Sequence, residues 1–180
     1  MTTKGYIRVQ DPSKVFFTSD THFGHTNIID YCTRPFPGGV EEMDETMITR
    51  WNEIVPEDGI IFHLGDFAFH GAPKYREIAS LLHGRKILIT GNHDYRTLKK
   101  DAWPEIYPGG LTIKIEDRIV YLSHFPYRVW PKGCWNLHGH LHSGPSSVLG
   151  LLGQLDVGVD GHDYRSWRWN EIKDKIKEGT

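Results

Sequence analysis

The amino-acid sequence predicts an α/β fold, a four-layer αββα sandwich of two mixed sheets flanked by helices. Three observations carry that expectation. The first half alternates β-α-β-α-β, with short buried apolar runs separated by segments of helical period. The second half consists mainly of strands, among them one hairpin. The length of 180 residues suffices for one sizeable core but not comfortably for two, so a single domain over residues 1–180 is expected.

Residues 6–9 read as a short first strand and 15–19 as a buried one, rich in Val and Phe. Residues 27–31 form a short helical turn, followed by a loop holding Arg34-Pro35 and Pro37-Gly38-Gly39. Between 41 and 55, Met43, Met47, Ile48, Trp51, Ile54 and Val55 fall close to helical spacing. Acidic residues crowd the first turns there, as the helix dipole favours. Residues 59–64 are a second buried strand, 73–82 a helix opened by proline, and 86–90 a third strand. A short helix is expected after Asp94. Residues 111–115 and 118–123 make an antiparallel hairpin across a tight Glu116-Asp117 turn. Residues 134–138 and 155–159 are further strands, and 172–176 lie in a closing amphipathic helix with Trp167 and Trp169 near its start.

Composition excludes several classes. Apolar content of 38% and charged content of 24% fit a soluble globular protein rather than a disordered or membrane one. No apolar stretch approaches the length of a membrane span, and nothing resembles a secretory leader. The two cysteines, Cys32 and Cys134, make a disulfide framework implausible, so a reducing compartment and a cytoplasmic location are expected. Neither stands in a C-x-x-C pair, which leaves a zinc ribbon or thiol redox site without support. A net charge of -2 provides no bulk basic character to attract nucleic acid.

Five short clusters abut the predicted strands. They are Asp20-Thr-His22, Gly65-Asp66, Gly91-Asn92-His93-Asp94, Ser123-His124 and Gly139-His140-Leu141-His142. Asp20, His22, Asp66, Asn92, His124, His140 and His142 are oxygen or imidazole donors, the types that divalent cations of intermediate hardness prefer. Taken alone, Asp66 or Asn92 would be a turn or cap residue, and His124 a hydrogen-bonded filler. In an extended chain, residues i and i+2 point the same way, so Asp20 with His22, and His140 with His142, would each present two donors to one cavity. Glycine beside Asp66, Asn92 and His140 would let the backbone turn sharply.

The order and content of these clusters resemble the calcineurin-like metallophosphoesterases from about Phe16 to Asp160. The resemblance implies the same αββα sandwich and two divalent metals. One metal would be held by Asp20, His22, Asp66 and His142, and the other by Asp66, Asn92, His124 and His140, with Asp66 bridging. It also implies hydrolysis of a phosphate ester by a metal-bridging hydroxide, with His93 stabilising the transition state and protonating the leaving oxygen. Two divalent ions outweigh Asp20, Asp66 and that hydroxide, so the local field would be positive despite the net charge of the chain. The imidazole-rich set suits manganese first, with Fe, Co, Ni or Zn as alternatives, better than magnesium. His25 is either a neighbour of the ligands or a surface residue, and His138 a packing residue.

Two departures narrow the resemblance. Protein Ser/Thr phosphatases read Gly-Asp-Tyr-Val-Asp-Arg-Gly at the second motif, whereas this chain reads Gly65-Asp66-Phe67-Ala68-Phe69-His70-Gly71. The acidic residue and the phosphate-gripping arginine are both missing. The stretch from Ser19 to His25 and on through Tyr31 to Phe36 is similar instead to small bacterial and phage phosphoesterases. Two loops are expected to choose the substrate: Arg34 flanked by Tyr31 and Phe36, and Tyr127, Arg128 and Trp130 after His124. Interleaved rings and cations there would stack a base and hold a phosphate. The expected substrate is a phosphodiester of a nucleotide or nucleic-acid end. A general phosphomonoesterase or a non-catalytic binding module on the same fold stands as the alternative.

Overall fold

A computed structural model of the chain describes residues 6–69, 71–94, 102–142 and 153–178. The short helix expected after Asp94 lies outside them. Among the described residues, ten strands form two five-stranded mixed sheets. The first has the order β1-β6-β7-β8-β9, from Ile7–Arg8, Leu111–Ile115, Arg118–Leu122, Trp135–His138 and Gln154–Asp156. The second has the order β10-β2-β3-β4-β5, from Trp167–Arg168, Val15–Thr18, Ile60–His63, Arg85–Ile89 and Glu105–Tyr107. Helices are α1 (Thr26–Tyr31), α2 (Val40–Ile54), α3 (Ala72–Leu81) and α4 (Trp169–Glu178).

Strand β2 is buried at all four positions, because a central parallel strand is covered on both faces. Val15 and Phe17 face the first sheet, while Phe16 faces the helices. There, Met43, Met47 and Trp51 of α2 and Tyr75, Ile78 and Ala79 of α3 pack with Phe16, Ile61 and Leu88. Between the sheets, Phe17, Phe62, Leu64, Ile87 and Ile89 meet Ile113, Val120, Leu122 and Leu137. Strand β6 buries Leu111, Ile113 and Ile115 and leaves Thr112 and Lys114 half-buried, the alternation of a strand with one core face. The hairpin forms as expected, pairing Ile115 with Arg118 across Glu116, whose φ is 52°.

Helix α4 closes the sandwich at one side, where Ile172 and Ile176 join the inter-sheet core. The Trp169 ring lies 6.2 Å from Phe17 of one sheet and 5.6 Å from Trp135 of the other. Among the described residues, no helix is long and apolar enough to cross a membrane.

Two edge strands, β5 and β10, are additions to the sequence reading. The strand expected over 155–159 stops at Asp156. Beyond it, Val159 N–H donates to Ser19 O (3.1 Å), and the chain turns into a short 3-10 segment at Val159–Gly161. The bridge between Ser19 and Gly158 ties the ends of the two sheets together.

Phe17 has 0% exposure and stacks on Phe62 at 5.5 Å. Phe17→Ala should therefore destabilise the protein by about 3–5 kcal/mol, read as a lower urea midpoint at unchanged slope. An unchanged midpoint would contradict the inter-sheet packing.

Candidate metal centre

Strands β2, β3 and β4 run parallel, so their carboxyl ends point the same way. Asp20, Asp66 and the Asn92-His93 pair follow those ends, where open α/β sheets collect functional groups. Parallel β7 and β8 of the other sheet deliver His124 and His140 with His142, and Gly139 N–H bonds His124 O at 3.0 Å. All five clusters thus converge where the two sheets end.

The backbone reaches this point differently from the extended i, i+2 arrangement expected. Asp20 (φ 58°), His22 (51°), Asp66 (57°), His140 (74°) and His142 (50°) all lie in the left-handed region. Each such residue costs on the order of 1–3 kcal/mol and persists where the surroundings enforce it. Of the three glycines expected to make turns, Gly65 does so, at φ 99°. Gly91 and Gly139 serve close approach instead. A Cβ at Gly91 would collide with Asp66 Oδ1, and one at Gly139 with Ser19 Oγ and Asp20 Oδ2.

Asp66 is 2% exposed and central to the cluster. Its Oδ2 lies 3.6 Å from His22 Nε2, 3.5 Å from His124 Nε2 and 3.9 Å from His93 Nε2. Its Oδ1 accepts the His93 backbone N–H at 2.8 Å. Asp20, His22 and His142 bring one ligand atom each within 4.8 Å of one another, as do Asp20, Asp66 and His124. The His124 Nδ1–H donates to Leu64 O (2.8 Å), which directs Nε2 toward Asn92 Oδ1, 3.0 Å away. The His140 ring lies beside His124, with centroids 5.1 Å apart, and the His140 backbone N–H donates to Asp20 Oδ2 at 2.9 Å.

Asp20 Oδ1 and His22 Nε2 are buried without a hydrogen-bond partner. Burial pushes the Asp20 carboxyl up to about 6 against the opposing pull of His124 and His142, and burial holds His22 well below its ordinary value. A buried carboxylate oxygen and a buried imidazole nitrogen that lack hydrogen-bond partners, beside further Asp and His groups, are a donor set that fits divalent cations.

Surrounding residues hold these groups in place. Asp94, 0% exposed and unassigned in the sequence reading, accepts backbone N–H bonds from Asp66 (2.9 Å), Phe67 (3.0 Å) and Gly91 (2.7 Å). Gly65 N–H donates to His63 Nδ1 (3.2 Å), which leaves Nε2 protonated against Thr21 Oγ1 (3.0 Å). Burial pushes His63 down to about 3, so it joins the first two motifs as a neutral ring. His25 lies beside the candidate ligand His22, with Nδ1 3.4 Å from His22 Nδ1. His138 is buried against Gly139 O at 2.9 Å, a packing position.

Arg34 requires a correction. All of its donors are directed inward: Nε and Nη2 to Asp160 (2.8 and 2.9 Å), Nη2 also to Asp20 O (2.7 Å), and Nη1 to Thr21 O (3.0 Å) and Met43 Sδ (3.4 Å). Its side chain is 0% exposed, so it does not project toward substrate as the loop composition suggested. Asp160 passes the constraint on by accepting from His142 Nδ1 at 2.8 Å. Burial alone would lower His142, yet the Asp160 bond, Cys32 and the nearby carboxylates lift it to about 10. Asp160 was visible only as the end of the family-like span. Its signal was a carboxylate just beyond a predicted strand.

The loop after His124 is also rearranged relative to expectation. Tyr127 packs on Tyr121 at 5.8 Å, on the face of β7 away from the core. Trp130 donates to Cys134 O at 2.8 Å, and Arg128 and Trp130 line a separate cleft of about 340 Å³ formed by residues 128–134. The ring this loop sends to the histidines is Phe125, 4.9 Å from His124 and 4.7 Å from His140.

Two mixed sheets that gather Asp, Asn and His donors at their strand ends define the metallophosphoesterase class. The comparisons agree. A family model described as calcineurin-like phosphoesterase matches residues 13–177. The chain belongs to that family. An uncharacterised protein of Methanocaldococcus jannaschii is 48% identical, covering 92% of this chain and 93% of its own. The gene 66 protein of Mycobacterium phage L5 is 31% identical, covering 82% of this chain and 87% of its own. A solved Aquifex aeolicus protein of unknown function superposes with a TM-score of 0.73 at 28% identity, over 89% of this chain and 98% of that one.

Breaking a buried ion pair leaves one charge uncompensated, so Arg34→Ala should destabilise the protein by about 3–5 kcal/mol in urea unfolding. Unchanged stability with a raised KM would restore Arg34 as a substrate contact.

Proposed function

We propose that the protein is a two-metal phosphoesterase that hydrolyses phosphodiesters of nucleotides or nucleic-acid ends. The observation that carries this reading is Asp66 Oδ2, within 4 Å of His22, His124 and His93 at once, beside the orphaned atoms of Asp20 and His22. In this reading Asp20, His22, Asp66 and His142 hold one ion, and Asp66, Asn92, His124 and His140 the other. When bound, two divalent ions, manganese in the first instance, polarise the phosphoryl oxygens and lower the pKa of a water molecule.

The chain's own residues do the rest. Asp94 holds the Asp66 backbone through its N–H, and the His93 backbone N–H holds the Asp66 carboxylate through Oδ1. Asp160 and Leu64 O fix the rings of His142 and His124. The His93 imidazole, 42% exposed at the edge of the cluster, gives its proton to the leaving oxygen as the P–O bond breaks and the water oxygen bonds to phosphorus. Arg34 faces inward, and the arginine found in protein phosphatases is missing after Asp66, so two grips on a dianionic monoester are gone. That favours the singly charged diester.

Activity on bis-p-nitrophenyl phosphate should vanish in chelator and return best with Mn²⁺. His93→Ala should lower kcat about 10²–10⁴-fold for esters with poor leaving groups, and less for p-nitrophenyl esters, at unchanged metal content. Full activity in chelator would end the metal-dependent reading, and loss of metal from His93→Ala would make His93 a ligand. A higher kcat/KM on p-nitrophenyl phosphate than on the bis ester would favour the monoesterase.

A further inference from the structure

Two groups of exposed rings flank different halves of the histidine cluster. On the His22 and His93 half, Phe69 stacks on His25 with centroids 4.2 Å apart and planes 12° apart, and lies 5.6 Å from His93. Tyr31, 74% exposed, adds its edge to His25 at 6.3 Å. On the His124 and His140 half, Phe125 packs against both imidazoles. Phe69 is 46% and Phe125 45% exposed, so each keeps ring surface uncovered directly beside the donors.

A phosphomonoester has one organic arm to place against such walls, whereas a diester has two. His93 gives its proton to the leaving oxygen, which puts the leaving arm on the Phe69 side and the retained arm on the Phe125 side. Flat faces suit flat partners: aromatic rings and nucleobases stack offset on phenylalanine with little regard to identity. With Arg34 committed internally, recognition of the arms by stacking also needs no cation from that loop.

We propose that Phe69, backed by His25, and Phe125 are two ring subsites that take the aromatic or nucleobase arms of a phosphodiester on either side of the scissile phosphorus. This rests on the phosphodiesterase reading above. Kinetics on bis-p-nitrophenyl phosphate and on methyl p-nitrophenyl phosphate separate the subsites. Both release p-nitrophenolate, but the methyl ester lacks the retained ring.

In Phe125→Ala the preference for the bis-aryl over the methyl ester, as a ratio of kcat/KM, should fall roughly tenfold. In Phe69→Ala both esters should lose kcat/KM to a similar degree. An unchanged ratio in Phe125→Ala, or no loss in Phe69→Ala, overturns the proposal. Calorimetric binding of adenosine 5′-monophosphate and ribose 5-phosphate to the Mn²⁺-treated protein keeps the two readings distinguishable. Should the protein hydrolyse neither ester, the phosphodiesterase reading fails. The ring subsites still predict roughly tenfold tighter binding of the nucleotide, weakened by Phe69→Ala or Phe125→Ala. Equal affinity for the two ligands would reject the subsites whatever the catalytic result.

Discussion

Buried acceptors with nothing between them set the terms for this protein. Asp20 Oδ1 and His22 Nε2 lie without a partner beside Asp66 Oδ2 and His124 Nε2 in a space closed to solvent, where an unpaired acceptor demands a proton or a donor. The direction in which Asp20 titrates shows the tension: burial favours the neutral acid, up to about 6. The chain accepts five left-handed residues at Asp20, His22, Asp66, His140 and His142 to create this arrangement. A positive charge at the centre relieves it, which is why a metal reading follows from the protein atoms themselves.

The sandwich makes such crowding sustainable. One sheet contributes Asp20, Asp66 and Asn92, and the other contributes His124, His140 and His142. Distances across the site are therefore set by how the sheets pack. Trp169 between Phe17 and Trp135, together with the Ser19–Gly158 bridge, holds that spacing. Closer in, Asp94 gathers three backbone N–H groups from two motifs, and Arg34 with Asp160 connects the α1–α2 loop to His142. Gly91 and Gly139 are small because carboxylates occupy the space a side chain would need.

Much of this was legible in the sequence. The buried runs of β2, β3 and β4, the β6–β7 hairpin and the helical period of α2 are local patterns, and they formed within a residue or two of expectation. The clusters after those strands were read from donor types in sequence order, and the fold brings them together. Strands β5 and β10 were missed because two or three residues such as Trp167–Arg168 carry no period of their own. Tertiary pairing makes them strands. The left-handed conformations at Asp20 and Asp66 escaped notice because no residue type announces them away from glycine. Arg34 was misread for a related reason: an arginine beside exposed rings looks the same in sequence whether it faces water or, as here, Asp160 and two carbonyls.

The central claim is that Asp66 serves two ions at once. Calorimetric titration of Mn²⁺ into metal-free protein, with the bound metal counted by elemental analysis, tests it most directly. Wild type should take up two equivalents per chain. Asp66→Asn should lose tight binding at both sites, since a neutral amide bridges poorly and leaves the ions to repel each other. One equivalent in the wild type, or two retained in Asp66→Asn, would contradict the account.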